Sequence, residues 1–160
     1  MAKPIPDGFS SVTPIFVFKD CRKALDFYKQ AFGAQELFAM PGPDGKGIMH
    51  AELKVGNSIL MMGEECPEMS SKSVETLGGS PINLYLYVEN VDQAFRRALE
   101  AGAKQVAAVE DMFWGDRTGT VQDLFGYHWT LATHIKDLTP QEMQQGAQEA
   151  YAKISNKATI

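Results

Sequence analysis

The chain has 160 residues, 44% of them hydrophobic and 22% charged, with a net charge of −5. That composition is globular and too apolar for a disordered chain. The acidic excess without any basic run argues against a nucleic-acid partner. No apolar stretch reaches membrane length and no cleavable signal pattern opens the sequence, so no membrane partner and a cytoplasmic location are expected.

The start, MAKPIPDGF, reads as a short polar arm. Segment 11–18, SVTPIFVF, is β-branched and aromatic and predicts a strand, with Pro14 favouring an edge or a strand end. Asp20 is a good N-cap for the helix that follows. There Leu25, Tyr28 and Phe32 form an apolar stripe widened by Ala24 and Phe27, and Gly33 supplies the left-handed end. QELFAMP, GIMHAELKVG and SILMMGEE predict three antiparallel strands, with turns at Gly42-Pro43-Asp44-Gly45 and at Gly56-Asn57. Residues 66–81 are polar and rich in Gly and Ser and predict a linker. INLYLYV over 82–88 predicts a strand, Asn90 with Gln93 fits a capping box, and Gly102 closes the next helix. KQVAAVEDMF, RTGTVQD and HWTLATHI supply three more strands. Thr139 as cap, Pro140 at the first helical position and Glu142 two further on predict a C-terminal helix over 139–154.

The elements repeat. Residues 13–34 and 83–103 follow one plan, in which Thr13 matches Asn83, Asp20 matches Asn90 and Ala24 matches Ala94; Gly33 matches Gly102 after a one-residue slip. The chain therefore reads as two βαβββ modules, 11–65 and 82–135, joined by 66–81 and sharing one structural domain of the α+β class. A ligand is expected at an interface between modules. Cys21 and Cys66 form no C-x-x-C pair. Cys21 at a helix start has a position that can activate a thiol, but the plainer reading is a spare thiol in a reducing compartment.

Paired modules with the stretches ALDFYKQAFGA (24–34), MHAELKVGNSILMM (49–62) and WGDRTGTVQDLFGYHWTLATH (114–134) resemble the vicinal oxygen chelate superfamily, which includes glyoxalase I, bleomycin-resistance proteins and extradiol dioxygenases. Within it the chain looks most like the PhnB-like branch. The resemblance covers residues 11–135 and implies cupped mixed β-sheets and a homodimer, which would also cover the sheet edges that a βαβββ pair leaves open. It departs from the usual Asp-Pro-Phe-Gly-His stretch, which reads Asp123-Leu124-Phe125-Gly126-Tyr127 here.

The superfamily's metal takes one ligand from the first and last strand of each module, usually His or Glu. Carried over, these positions fall on Thr13, on Leu60 or Met61, on Asn83 and on Thr130. None is a carboxylate or an imidazole, and a thioether suits hard cations poorly. The chain is thus expected to keep the scaffold without a cofactor, as a small-molecule binder of the bleomycin-resistance type with a degenerate metal site. The alternative is a metal-dependent lyase, isomerase or dioxygenase holding a divalent ion through His50 and Glu52, which share a strand face by their two-residue spacing. Candidate ligand contacts are Thr13, Asn83, Trp114, Arg117, His128 and Thr130. His128 and His134 face the cup if Thr130 does. Phe113-Trp114 offers stacking surface and Arg117 an anion partner, while the bland reading pairs Asp116 with Arg117 on the surface. Met40, Met49, Met61 and Met62 read as core filling. Phe16, Phe18, Tyr85 and Tyr87 alternate in matching strands but cannot all be assigned to one face.

Overall fold

The computed structural model describes residues 2–157, with side chains through residue 153. The first module runs β1 (Ile15–Phe18), α1 (Cys21–Phe32), β2 (Gln35–Pro41), β3 (Ile48–Val55) and β4 (Ser58–Glu64). A one-turn helix, α2 (Val74–Leu77), lies between the modules. The second runs β5 (Asn83–Tyr87), α3 (Val91–Glu100), β6 (Lys104–Asp111), β7 (Asp116–Gln122) and β8 (His128–His134), and α4 (Pro140–Lys157) follows. Two four-stranded mixed sheets result, ordered β1-β4-β3-β2 and β5-β8-β7-β6. Among the described residues only β1–β4 and β5–β8 pair in parallel, because each helix crosses over and the next three strands return by hairpins. No helix among the described residues is long and apolar enough to cross a membrane.

The expected caps form. Asp20 and Asn90 side chains each accept from the backbone N–H three residues on, at 2.9 Å in both cases, and Gly33 ends α1 at φ 67°. Helix α3 instead stops at Ala101, in the right-handed region, with Gly102 one step beyond at φ 106°. The first strand is shorter than the segment 11–18 suggested. Pro14 precedes it, and its carbonyl accepts from the Met61 N–H at 2.9 Å. Thr139 and Glu142 make a reciprocal capping box at 2.8 and 3.3 Å.

Strand alternation sorts the side chains. Phe16, Phe18, Leu53, Leu60 and Met62 of the first module and Val121, Trp129 and Leu131 of the second are buried in one apolar cluster with the inner faces of α1 and α3. Each such side chain contributes roughly 1.5–3 kcal/mol on burial. The two modules thus meet through their helix-bearing faces, where Phe18 lies 5.0 Å from Phe125, Phe16 lies 4.9 Å from Tyr127 and Phe32 lies 4.7 Å from Trp129 between ring centres. The opposite face of each sheet stays open.

Residues 123–127 form the seam. Asp123 is buried, 5% exposed. One carboxylate oxygen accepts from the backbone N–H groups of Phe125 and Tyr127, each at 2.9 Å, shaping the β7–β8 turn. The other accepts from Trp129 Nε1 at 3.0 Å and, across the seam, from the Tyr28 hydroxyl of α1 at 2.6 Å. Burial pushes the carboxyl up, and these four donors work against that rise. Tyr127 reaches β1, its hydroxyl 3.3 Å from the Val17 N–H. The segment expected as a linker is tied down too: Glu65 Oε1 accepts from the Ser73 N–H at 2.8 Å and its hydroxyl at 2.6 Å. Cys21 is wholly buried, and burial pushes its thiol up to about 12, so the helix start does not activate it.

Candidate functional site

The open face of the second sheet carries residues of one strand parity: Asn83, Tyr85 and Tyr87 from β5, His128, Thr130, Ala132 and His134 from β8, and Asp116, Thr118, Thr120 and Gln122 from β7. Register confirms the set, since Asn83 stands beside His128, Tyr85 beside Thr130, and Asp116 opposite His134. Asp116 is its centre. Although only 3% exposed, it is an ionised acid on the open side of the sheet. One oxygen accepts from the hydroxyls of Tyr85 and Tyr87, at 2.9 and 3.0 Å. The other meets His134 Nδ1 at 2.7 Å. Burial pulls its carboxyl up, but the bonds from His134, Tyr85 and Tyr87 outweigh this and hold it below its ordinary 3.8.

The same bonds fix the rings above it. Tyr85 and Tyr87 remain 46% and 61% exposed, their centres 5.2 Å apart. Trp114 Nε1 donates to the Tyr85 hydroxyl at 3.4 Å, and its indole packs edge-on against Phe113 at 4.9 Å. Burial, together with the carboxylate beneath, pushes the Tyr85 hydroxyl up to about 12, so it serves as a donor to Asp116 and not as a proton source near neutrality. His134 is raised by its bonds to Asp116 and then to Asp137, the latter 3.0 Å from Nε2. Thr130 and Thr120 share a hydrogen bond of 2.9 Å on the same face.

Among the residues expected at the site, Asn83, His128 and Thr130 share this face, and Trp114 borders it. Thr13 lies just before β1, its hydroxyl turned back to the Ser10 carbonyl at 2.9 Å. Arg117 is not there. It points to the helix-bearing face, where Asp92 of α3 binds its guanidinium at 2.8 and 2.9 Å and Asp111 of β6 at 2.7 Å. Its pairing with Asp116 is equally excluded, because neighbours on a strand project to opposite faces. Between Leu60 and Met61, Leu60 is in the core and Met61 takes the open side, beside Ile15 and opposite Glu52.

His50 and Glu52 do share the open face of the first sheet, 3.5 Å apart, with the Phe38 ring 6.3 Å from the imidazole. Among the described residues no three His, Cys, Asp or Glu side chains converge as a metal cluster. The superfamily's four ligand positions hold a hydroxyl, a thioether, an amide and a second hydroxyl, a set that does not fit a borderline or hard divalent ion. The residues that sequence reasoning underrated are Tyr85, Tyr87 and Asp116. The available signal was parity, since both tyrosines keep step with Asn83.

This fold and face define a class of protein built on duplicated βαβββ modules. Residues 11–131 match the model of the glyoxalase/bleomycin resistance protein/dioxygenase superfamily, and the chain belongs to it. It is 42% identical over 137 residues to uncharacterized proteins of Mycobacterium bovis and Mycobacterium tuberculosis, covering 84% of this chain and 90% and 80% of those proteins. Among solved structures it resembles TioX from Micromonospora sp. ML1 (TM-score 0.61, 29% identity, 79% of this chain and 99% of that one). TnmS3, described as an antibiotic binding protein from Streptomyces sp. CB03234, shares the fold at TM-score 0.57 and 22% identity, over 78% of this chain and 97% of that one.

Proposed function

We propose that the chain is a non-catalytic binder of planar aromatic small molecules, with the open face of the second sheet as its principal contact surface. One observation carries this reading: two exposed tyrosine rings are locked by their hydroxyls onto a buried carboxylate. Exposed aromatics held rigid lose little entropy when a flat ligand stacks on them. Asn83, Thr130, His128 and Trp114 surround the rings as polar and stacking neighbours. That the same fold serves an antibiotic binding protein, TnmS3, is compatible with this use. Titration calorimetry against a panel of aromatic compounds tests it: micromolar binding by some members, lost in the Y85A/Y87A double variant, is expected. Turnover of any of them, or binding indifferent to both tyrosines, overturns it.

A homodimer is part of the proposal. The helix-bearing faces are already used within the chain, so the open faces, with Ile15, Phe38, Tyr85 and Tyr87 exposed, can be covered only by a second molecule or a ligand. Light scattering is expected to give the mass of two 17.6-kDa chains. Assignment to the PhnB-like branch rests on stretches 24–34, 49–62 and 114–134, and a cytoplasmic location fits two free thiols. A second reading, metal-dependent catalysis, is supported by the His50–Glu52 pair. Stoichiometric metal in the purified protein, abolished by H50A, would replace the binder reading with this one.

A further inference from the structure

His134 is contacted by a carboxylate at each ring nitrogen, Asp116 Oδ1 at Nδ1 and Asp137 Oδ1 at Nε2. Ionised carboxylates only accept, so the ring satisfies both by donating twice, as the imidazolium. The two contacts differ in kind. Asp116 is buried, belongs to a strand and is held by three donors. Asp137 is fully exposed and follows the last strand. The inner contact is architecture, whereas the outer one is a solvent-facing ion pair of the kind that contributes little to stability. The outward N–H thus needs an acceptor that the fold itself supplies only loosely. Asp116 anchors the opposite ring nitrogen, Nδ1, and both tyrosine hydroxyls, so the imidazole and the two rings are fixed to one carboxylate while Nε2 is turned away from it.

We propose that His134 Nε2 and the rings of Tyr85 and Tyr87 form a subsite for the carboxylate of an aromatic acid, and that Asp137 fills it as an internal stand-in until the ligand arrives. Because the two tyrosine planes meet at 55°, a flat ring stacks on one and lies edge-on to the other. A carboxylate carried on that ring would reach Nε2 within one molecule, at the high effective concentration that lets a tethered group displace an untethered competitor. The bond gained is a charge-assisted one, stronger than the neutral equivalent. The proposal rests on the stacking face described above and adds the ligand's charge to it.

The test compares 2-naphthoate with its neutral amide, 2-naphthamide, by calorimetry on the full chain. The acid is expected to bind about tenfold tighter, as a charge-assisted hydrogen bond implies. In D137A, which removes an exposed competitor and leaves the core untouched, affinity for the acid is expected to rise about three- to fivefold, with none for the amide. In H134Q the acid's advantage should vanish. Equal binding of acid and amide, or an acid affinity unchanged or lowered in D137A, overturns the carboxylate subsite while the aromatic binder stands. Failure of both compounds to bind at millimolar concentration overturns both.

Discussion

The matching first strands of the two modules place their aromatic residues on opposite faces. In β1 they are Phe16 and Phe18, at even positions, and both are buried under the helices. In β5 they are Tyr85 and Tyr87, which by the repeat stand where Ile15 and Val17 stand, and they face out. A shift of one residue in a period-two pattern sends the same side-chain class to the core or to the solvent. The buried rings of β1, Phe16 and Phe18, carry no polar group to tether. The module that exposes its rings adds hydroxyls and a buried acid to hold them. Both sheets thus have one packed and one open face, and side-chain parity puts the first-strand aromatics on the packed face in one and on the open face in the other.

Variants of this contrast rank by expected effect. D123A is the largest: it leaves two side-chain and two backbone donors unpaired at the seam, and about 3–5 kcal/mol of stability should be lost in urea unfolding. Next, D116A frees the hydroxyls of Tyr85 and Tyr87 and the His134 ring; about 1–2 kcal/mol should be lost, with faster ring motion of both tyrosines by NMR. Third, Y85I/Y87V gives β5 the open-face residues of β1, and affinity for aromatic ligands should fall at least tenfold while the fold persists. Last is pH. His134 is raised above 6.5, so its stabilising pairing is fully present below 6.5 and is lost as pH rises through the folded value. Asp116 is lowered, so its share is present above 3.8 and is lost as pH falls through the folded value. A His134 NMR titration that moves down towards 6.5 in D116N would sharpen the comparison, and one indifferent to that change would break it.

The sequence made the doubled βαβββ order legible, because caps, glycine ends and hairpin turns are local signals. It also made the aromatic strands legible, but not their faces. Alternation shows which residues share a side, and both a core and an exposed recognition surface accept aromatics. Arg117 and Asp116 illustrate the limit. Adjacent and oppositely charged, they read as a pair at a turn. The pairing that forms joins Arg117 to Asp92, on a helix 25 positions away, and Asp116 to His134, 18 positions away. Long-range partners of this kind are set by sheet register, which no local pattern encodes. Asp123 is a further case, since its bond to Tyr28 spans 95 positions.

That bond constrains how this chain can be divided. The acid in the β7–β8 turn draws one of its four donors from the first half, and Phe125 beside it fills space among Phe18, Phe27 and Tyr28. Cut between residues 66 and 81, the C-terminal fragment would expose an aromatic plug and lack one proton donor, while the N-terminal fragment would lose the lid over its phenylalanines. Neither piece is therefore expected to fold by itself, and the fragments should be soluble together and insoluble apart.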